Sequence, residues 1–286
     1  MPFTNITGQK VALTLENAES IHLQRQVETY QLLTGRHHAR TIALHGGIAA
    51  FTEPIFGRKL NHVTGLGMGT SVSTEGVGTL ERAYAASGLD VEIDLCPHAD
   101  VSLLRVLADR GYTAVAFSNT YAYSLTKDGE TQPLSTDFEI IDDRAEIAKI
   151  FVDNSLAGFA EQRIPRPAIL LQTLAQIALA RADTRLYAAR MNGIIVATAG
   201  MSILETAGTP VAHLYIASTL PAYRSRGLQL ALLKARLVAA RQAGCILASV
   251  TARPENASAR NAERAGFKLA YTKTTFLKRC RDIATT

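Results

Sequence analysis

The chain has 286 residues, 47% of them hydrophobic and 19% charged, and a formal net charge of +5. That balance suits a soluble globular protein with a sizeable core, and the length points to two domains. The mild positive charge is spread along the chain, clustering only at Lys278, Arg279 and Arg281, so it calls for no nucleic-acid partner. Cys96, Cys245 and Cys280 are far apart, odd in number and free of any CxxC spacing, which argues against both a disulfide framework and a zinc site. The N-terminus lacks a basic region followed by an apolar run, and no apolar stretch reaches the ~18 residues of a membrane span, so a cytoplasmic protein with reduced thiols is expected.

In chain order, 12–33 reads as a helix with apolar positions at Ile21, Leu23, Val27, Tyr30 and Leu33. RTIALHGGIAAFTEP reads as two short strands joined at Gly46-Gly47, and LNHVTGLGMG as a third strand. The run GLGMG imitates part of a dinucleotide fingerprint but lacks its strand–turn–helix context, and is better read as a glycine-rich strand or bulge. A helix over TLERAYAAS, the strand VEIDL, a helix capped near Asp100 and ended by Gly111, and strand character over TAVAFSNTYAYSL complete the first half. KDGETQPLSTD, residues 127–137, is polar and turn-rich and is the linker candidate.

The second half begins with the strand FEIIDD, a helix over AEIAKIFVDNSLAGFA and a helix over AILLQTLAQIALARA. Asn192-Gly193 then marks a two-residue hairpin turn. The strand VAHLYIAST leads into TLPAYRSRG and a long helix ended by Gly244. CILASVTA is a strand, ASARNAERA a helix and FKLAYTKTTFL the last strand. The halves share an order of elements: VEIDLCP, helix, RGY, strand in the first, and ILASVTARP, helix, AGF, strand in the second. Pro97 and Pro254 lie 157 apart and Gly111 and Gly266 lie 155 apart, which suggests two copies of one α/β unit.

The copies differ at one place. After VAHLYIAST the chain sets Arg224, Arg226 and Gly227 at the opening of a helix, where the first copy has SVSTEGVGTLERAY with an acidic Glu75. The first N–H groups of a helix lack internal partners and lie at the positive end of its dipole. A glycine there admits a ligand to the backbone and arginines add charge, so the turn reads as a site for a phosphate or pyrophosphate.

The run strand–Pro221-x-Tyr223-Arg224-x-Arg226-Gly227-Leu228–helix resembles the acetyl-CoA-binding turn of the GNAT superfamily of N-acetyltransferases. The resemblance covers roughly 136–279, including the Asn192-Gly193 hairpin, CILASVTA and ENASARNAERAGFKLAY. Arg224 and Gly227 match the family turn, while Gln229 departs from its final small residue. The resemblance implies an α/β (α+β) protein of two tandem GNAT-like acyl-CoA N-acyltransferase domains, each a mixed, mostly antiparallel sheet flanked by helices. Residues 1–130 would be a degenerate copy lacking the pyrophosphate turn, and 136–286 the N-acetyltransferase domain. It implies acetyl-CoA as cosubstrate and no metal. Backbone groups of Ala217, Ser218 and Thr219 would bond the pantetheine arm. The N–H groups of Arg224, Ser225, Arg226, Gly227, Leu228 and Gln229 would hold the pyrophosphate. Asn256 and Ser258 would lie near the arm, with helix capping as their alternative reading.

Acetyl transfer to an amine needs the thioester held, the amine deprotonated and the leaving thiolate protonated. The family's usual tyrosine acid falls here on Ala262, leaving Tyr271 or Tyr223 as substitutes. The strand before the turn has no carboxylate. His213 and Glu205 are the candidate bases, His213 for its pKa near neutrality. The remaining histidines lack metal-ligand spacing. The expected partner is a small-molecule or protein amine, with no nucleic acid or membrane and a monomer or homodimer. A non-catalytic acyl-CoA-binding module, an enzyme for a longer acyl-CoA and a nucleotide-binding α/β protein are the alternatives, the last disfavoured by the hairpin-rich strand order.

Overall fold

The protein is described by a computed structural model over residues 5–125, 137–161 and 166–283; all but Asp137 of the linker candidate lies outside these residues. The first half holds α1 (Gln9–Thr34), β1 (Arg40–Leu44), β2 (Gly47–Phe51), β3 (Val63–Thr64), α2 (Thr74–Ala86), β4 (Val91–Leu95), α3 (Val101–Asp109) and β5 (Thr113–Ser124). The second holds β6 (Glu139–Ile141), α4 (Arg144–Ala148), α5 (Phe151–Ala160), α6 (Ala168–Ala180), β7 (Thr184–Met191), β8 (Ile194–Thr206), β9 (Thr209–Thr219), α7 (Leu228–Gln242), β10 (Leu247–Ala252), α8 (Ala257–Arg264), β11 (Lys268–Lys278) and α9 (Cys280–Ile283).

Local chemistry explains most of these boundaries. Asn192 and Gly193 have φ of 50° and 79°, as a two-residue turn with both central residues left-handed requires, and β7 and β8 pair across it. Asp100 caps α3 by accepting from the Ser102 N–H at 2.9 Å. The helix expected over 145–160 is divided into α4 and α5, because Ile150 leaves helical geometry at φ −125°. The strand expected over 60–69 shrinks to Val63–Thr64. Gly65, Gly67 and Gly69 all take positive φ, so the run is a loop, with Leu66 and Met68 turned into the core.

The chain forms two compact units whose limits differ from the expected 1–130 and 136–286. The first unit is Thr7–Thr120 with Ala252–Pro254 and Leu269–Thr286; the second is mainly Tyr121–Thr251 with Glu255–Lys268. The last strand therefore belongs with the first half. β11 lies antiparallel to β4, from Thr274↔Leu95 to Lys278↔Val91. The Lys273 ammonium of β11 is fully buried and lies 2.6 Å from a Glu19 oxygen and 3.3 Å from one of Glu16, both on α1. Burial pulls that ammonium down, but Glu16 and Glu19 outweigh it and hold its pKa above the ordinary value.

In the first unit the strands run β1-β2-β3-β4-β11 and then the early part of β5; in the second they run from the end of β5 through β10-β9-β8-β7 to β6. The hairpin strands of each sheet pair antiparallel, and each sheet contains a short parallel step, β3 with β4 and β9 with β10. The repeat seen in the sequence is thus a repeat of topology. The first unit's core gathers Phe51, Tyr84, Ile93, Leu103 and Leu107 between sheet and helices. The second packs Ile147, Phe151, Ala175 and Leu186 between α4–α6 and the sheet.

Candidate functional site

The parallel step of the second unit is short. β9 and β10 pair through Leu247↔Val211, Ala248↔Ala212 and Ser249↔His213, and the register ends there. β9 continues to Thr219, six residues beyond. Its path is bent by a bulge: Thr198 opposes Ser218 but Gly200 opposes Tyr215, and Ile216 sits at φ 47°. A β-branched residue at positive φ is strained and needs its surroundings to hold it. Arg236 of α7 supplies part of that hold. It is 1% exposed, and its Nη1 donates to the Gly200 carbonyl at 2.9 Å. Burial lowers its pKa to about 9.

Beyond β9 the chain makes a tight turn, with the Tyr223 N–H donating to the Leu220 carbonyl at 2.9 Å. Ser225 and Gly227 take φ of 63° and 78°. Gly227 is the N-cap of α7 and no side chain caps it; the first turn holds no acidic residue. The helix's own bonding starts with the Ala231 N–H on the Gly227 carbonyl, so the N–H groups of Leu228, Gln229 and Leu230 lie before the first internal bond. Residues 224–227 are exposed. This is the chemistry of an anion site.

The first unit has the opposite arrangement at the same topological place. Ser73 caps α2 by accepting from the Gly76 N–H at 3.1 Å, and Glu75 sits in its first turn. A Cβ at Gly76 would come 2.2 Å from His45 Nε2, so a side chain already fills the approach. That helix start is satisfied, crowded and negative.

The arginines of the open turn are tethered rather than free. Arg224 donates to Glu161 Oε2 at 3.2 Å and to the Gly158 carbonyl at 3.1 Å, linking the turn to the end of α5. Arg226 lies over the Tyr223 ring, 5.7 Å from its centroid. Gln229 reaches back to β9, its Nε2 donating to the Ser218 carbonyl and to Thr219 Oγ1, both at 2.8 Å. Ala217, Ser218 and Thr219 form the end of the strand, backed by α5: a Cβ at Gly158 would meet Ser218 Cβ at 2.7 Å.

Of the catalytic candidates, Tyr223 lies in the open turn and His213 on β9 before it. His213 stands at the last position of β9 in register with β10, 7% exposed, with Nδ1 3.1 Å from Ser249 Oγ of β10. Glu205 is exposed at the opposite end of the β8–β9 hairpin, paired with Pro210 rather than near Ala197↔Thr219. It lies eight residues of strand, about 25 Å, from the Ala197↔Thr219 pair but only three register steps, about 10 Å, from Ser202↔His213. Tyr271 falls in the first unit, buried, its hydroxyl donating to Glu16 Oε1 at 2.7 Å. Burial raises its pKa well above the ordinary value, and it is withdrawn as an acid. Asn256 caps α8, accepting from the Ala259 N–H at 2.7 Å, and Ser258 is exposed one residue into that helix's first turn. Ala262 is fully buried on α8. Among the described residues no group of three or more His, Cys, Asp or Glu could hold a metal ion, and no helix is long and apolar enough to cross a membrane.

Residues 145–267 match the Acetyltransferase (GNAT) family, a stretch that runs from α4 to α8 and includes β9 and the open turn. This part of the chain is a GNAT domain. Solved structures show the same fold over most of the chain. A GCN5-related N-acetyltransferase from Kribbella flavida aligns with a TM-score of 0.56 at 19% identity, covering 89% of this chain and 95% of its own. A GCN5-related N-acetyltransferase from Sphaerobacter thermophilus aligns with a TM-score of 0.53 at 17% identity, covering 85% and 76%. A tandem GNAT protein from the clavulanic acid biosynthesis pathway aligns with a TM-score of 0.55 at 12% identity, covering 92% and 95%. The chain therefore shares the fold of these proteins over most of its length. No curated protein matches it.

Sequence reasoning missed Ser249, Gly158 and Arg236. Ser249 lies 36 residues from His213 and only the parallel register brings them together. Arg236 reads as one more charge on a helix, and nothing in its local pattern marks it as buried.

Proposed function

We propose that the GNAT domain binds acetyl-CoA and transfers its acetyl group to an amine by direct attack in a ternary complex. One observation carries this reading: the run of β9 beyond His213, paired with β8 but past the end of the β10 register, leads straight into a helix start that no side chain caps. Ala217, Ser218 and Thr219 would bond the amide-bearing arm as a neighbouring strand does. The N–H groups from Arg224 to Gln229 would hold the pyrophosphate. The thioester supplies an activated acyl group; the protein orients it and manages protons.

His213 is the proposed base. Its Nδ1 is fixed by Ser249, and the neutral ring would take the amine's proton through a water. A positioned base is worth about 10²–10⁴ in rate. With Ala262 buried where the family resemblance places a tyrosine, the thiolate would take its proton from solvent. That missing acid favours one second reading, an acyl-CoA-binding module without turnover. The acceptor would be a small-molecule or protein amine, met in the cytoplasm by a monomer or homodimer.

Calorimetric titration with acetyl-CoA and with desulfo-CoA tests the site. Micromolar binding that is lost in Gly227→Val supports it, and no binding up to millimolar ligand refutes it. A thiol-release assay over an amine library then separates the two readings. If His213→Gln turns over like the parent at every pH, His213 is not the base.

A further inference from the structure

The family's turn closes on a small residue, and this chain has Gln229 there. Its side chain is placed, not free. From the second position of α7 it reaches back over the crook between helix start and strand end, and its Nε2 holds the Ser218 carbonyl and Thr219 Oγ1, each at 2.8 Å. The residue is half-buried while 224–227 beside it are exposed. α7 needs no such contact: its first turn forms on the Gly227 carbonyl, and burying a glutamine side chain costs rotamer freedom. The contact also falls on the two strand-end residues that a strand-like ligand would have to address.

We propose that Gln229 is a gate on the cofactor site. In the free protein its amide occupies the crook and takes the Ser218 carbonyl as acceptor. Entry of CoA requires that amide to leave, and an N–H of the pantetheine arm replaces it on the carbonyl. The proposal rests on the reading of the turn as a CoA site. That contact satisfies the Ser218 carbonyl within the chain, so a ligand must return a hydrogen-bond donor to the strand end as well as a phosphate to the helix.

The test uses the full chain, titrated with CoA, in the parent protein, Gln229→Ala and Gln229→Met. The methionine keeps the length of the side chain and loses both donors. Giving up two hydrogen bonds, one of them replaced by ligand, corresponds to a gain in affinity of about tenfold in both variants. The ligand-free variants should at the same time melt at a lower temperature than the parent, since they have lost the contact. Affinity and stability moving in opposite directions is the signature of a gate; a merely structural residue would lower both. If the parent binds CoA and the variants bind equally or more weakly, the gate is overturned and the CoA site stands. If no form binds CoA, the site itself falls and takes the gate with it.

Discussion

Replacing Gly158 by alanine tests whether α5 fixes the shape of the cofactor strand. A Cβ at 158 would lie 2.7 Å from Ser218 Cβ, 2.9 Å from its Oγ and 3.2 Å from the Thr219 nitrogen. Carbon atoms rest about 3.5–4.0 Å apart, so α5 and the end of β9 must separate by up to about 1 Å. Neither neighbour is the loose end of a long side chain. Two effects oppose each other. Alanine in a helix interior gains about 1 kcal/mol over glycine, and overpacking of this kind costs about 1–3 kcal/mol. Overpacking wins, with a net loss of about 1 kcal/mol. At a urea slope of about 2 kcal/mol/M the unfolding midpoint falls by about 0.5 M, and CoA affinity falls with it because Ser218 and Thr219 have moved. Gly78 of α2 is the control: its Cβ would come no closer than 3.4 Å, to the tip of Arg110. Gly78→Ala should gain up to about 1 kcal/mol from propensity alone. A Gly158→Ala protein as stable as the parent and unchanged in CoA binding would refute the reasoning.

Three further outcomes are expected in the first unit. His62 is 9% exposed, and burial pulls its pKa down to about 4 despite the nearby Asp94. Against an unfolded value near 6.5, the unfolded chain binds the extra proton, so stability falls with pH through the window 6.5 to 4. Between pH 7 and pH 5 the loss is about 2 kcal/mol, and urea melts of His62→Asn should show a shallower decline; an identical decline would exclude His62. Lys273→Met leaves Glu16 and Glu19 without their buried cation and should cost about 3–5 kcal/mol; adding Glu16→Gln should recover part of it, and no recovery would mean the pairs are not coupled. Ser73→Ala removes the α2 cap and should cost about 1 kcal/mol, which thermal melting reads directly; an unchanged midpoint would mean the Gly76 N–H finds another partner.

What was legible in the sequence was local. The Asn192-Gly193 turn, the Asp100 cap and the Gly227 helix start each follow from the conformational needs of two or three neighbouring residues. What was not legible depends on pairing across long separations. Tyr271 looks like a site residue until β11 is seen beside β4, where its hydroxyl meets Glu16. Glu205 and His213 are close in sequence and stay close in the hairpin, opposite Pro210 and Ser202, but only His213 also comes into register with β10, through Ser249. Arg224 reads as a free charge because nothing in its own segment announces Glu161 and the Gly158 carbonyl. Gln229 reads as a defect in a motif, and only the coordinates show what its amide holds.

The placement of β11 has a consequence for how the chain is made. The first unit's sheet needs residues 269–278, which leave the ribosome well after its residues 7–120. Until then β4 carries an open edge and Glu16 and Glu19 lack their cation, a state prone to pairing with other chains. Residues 7–120 are translated well before the strand that completes their sheet. Cutting the gene between the halves would leave a fragment missing its own strand, and a nascent chain stalled before Lys273 would hold two carboxylates with nothing to bury them against.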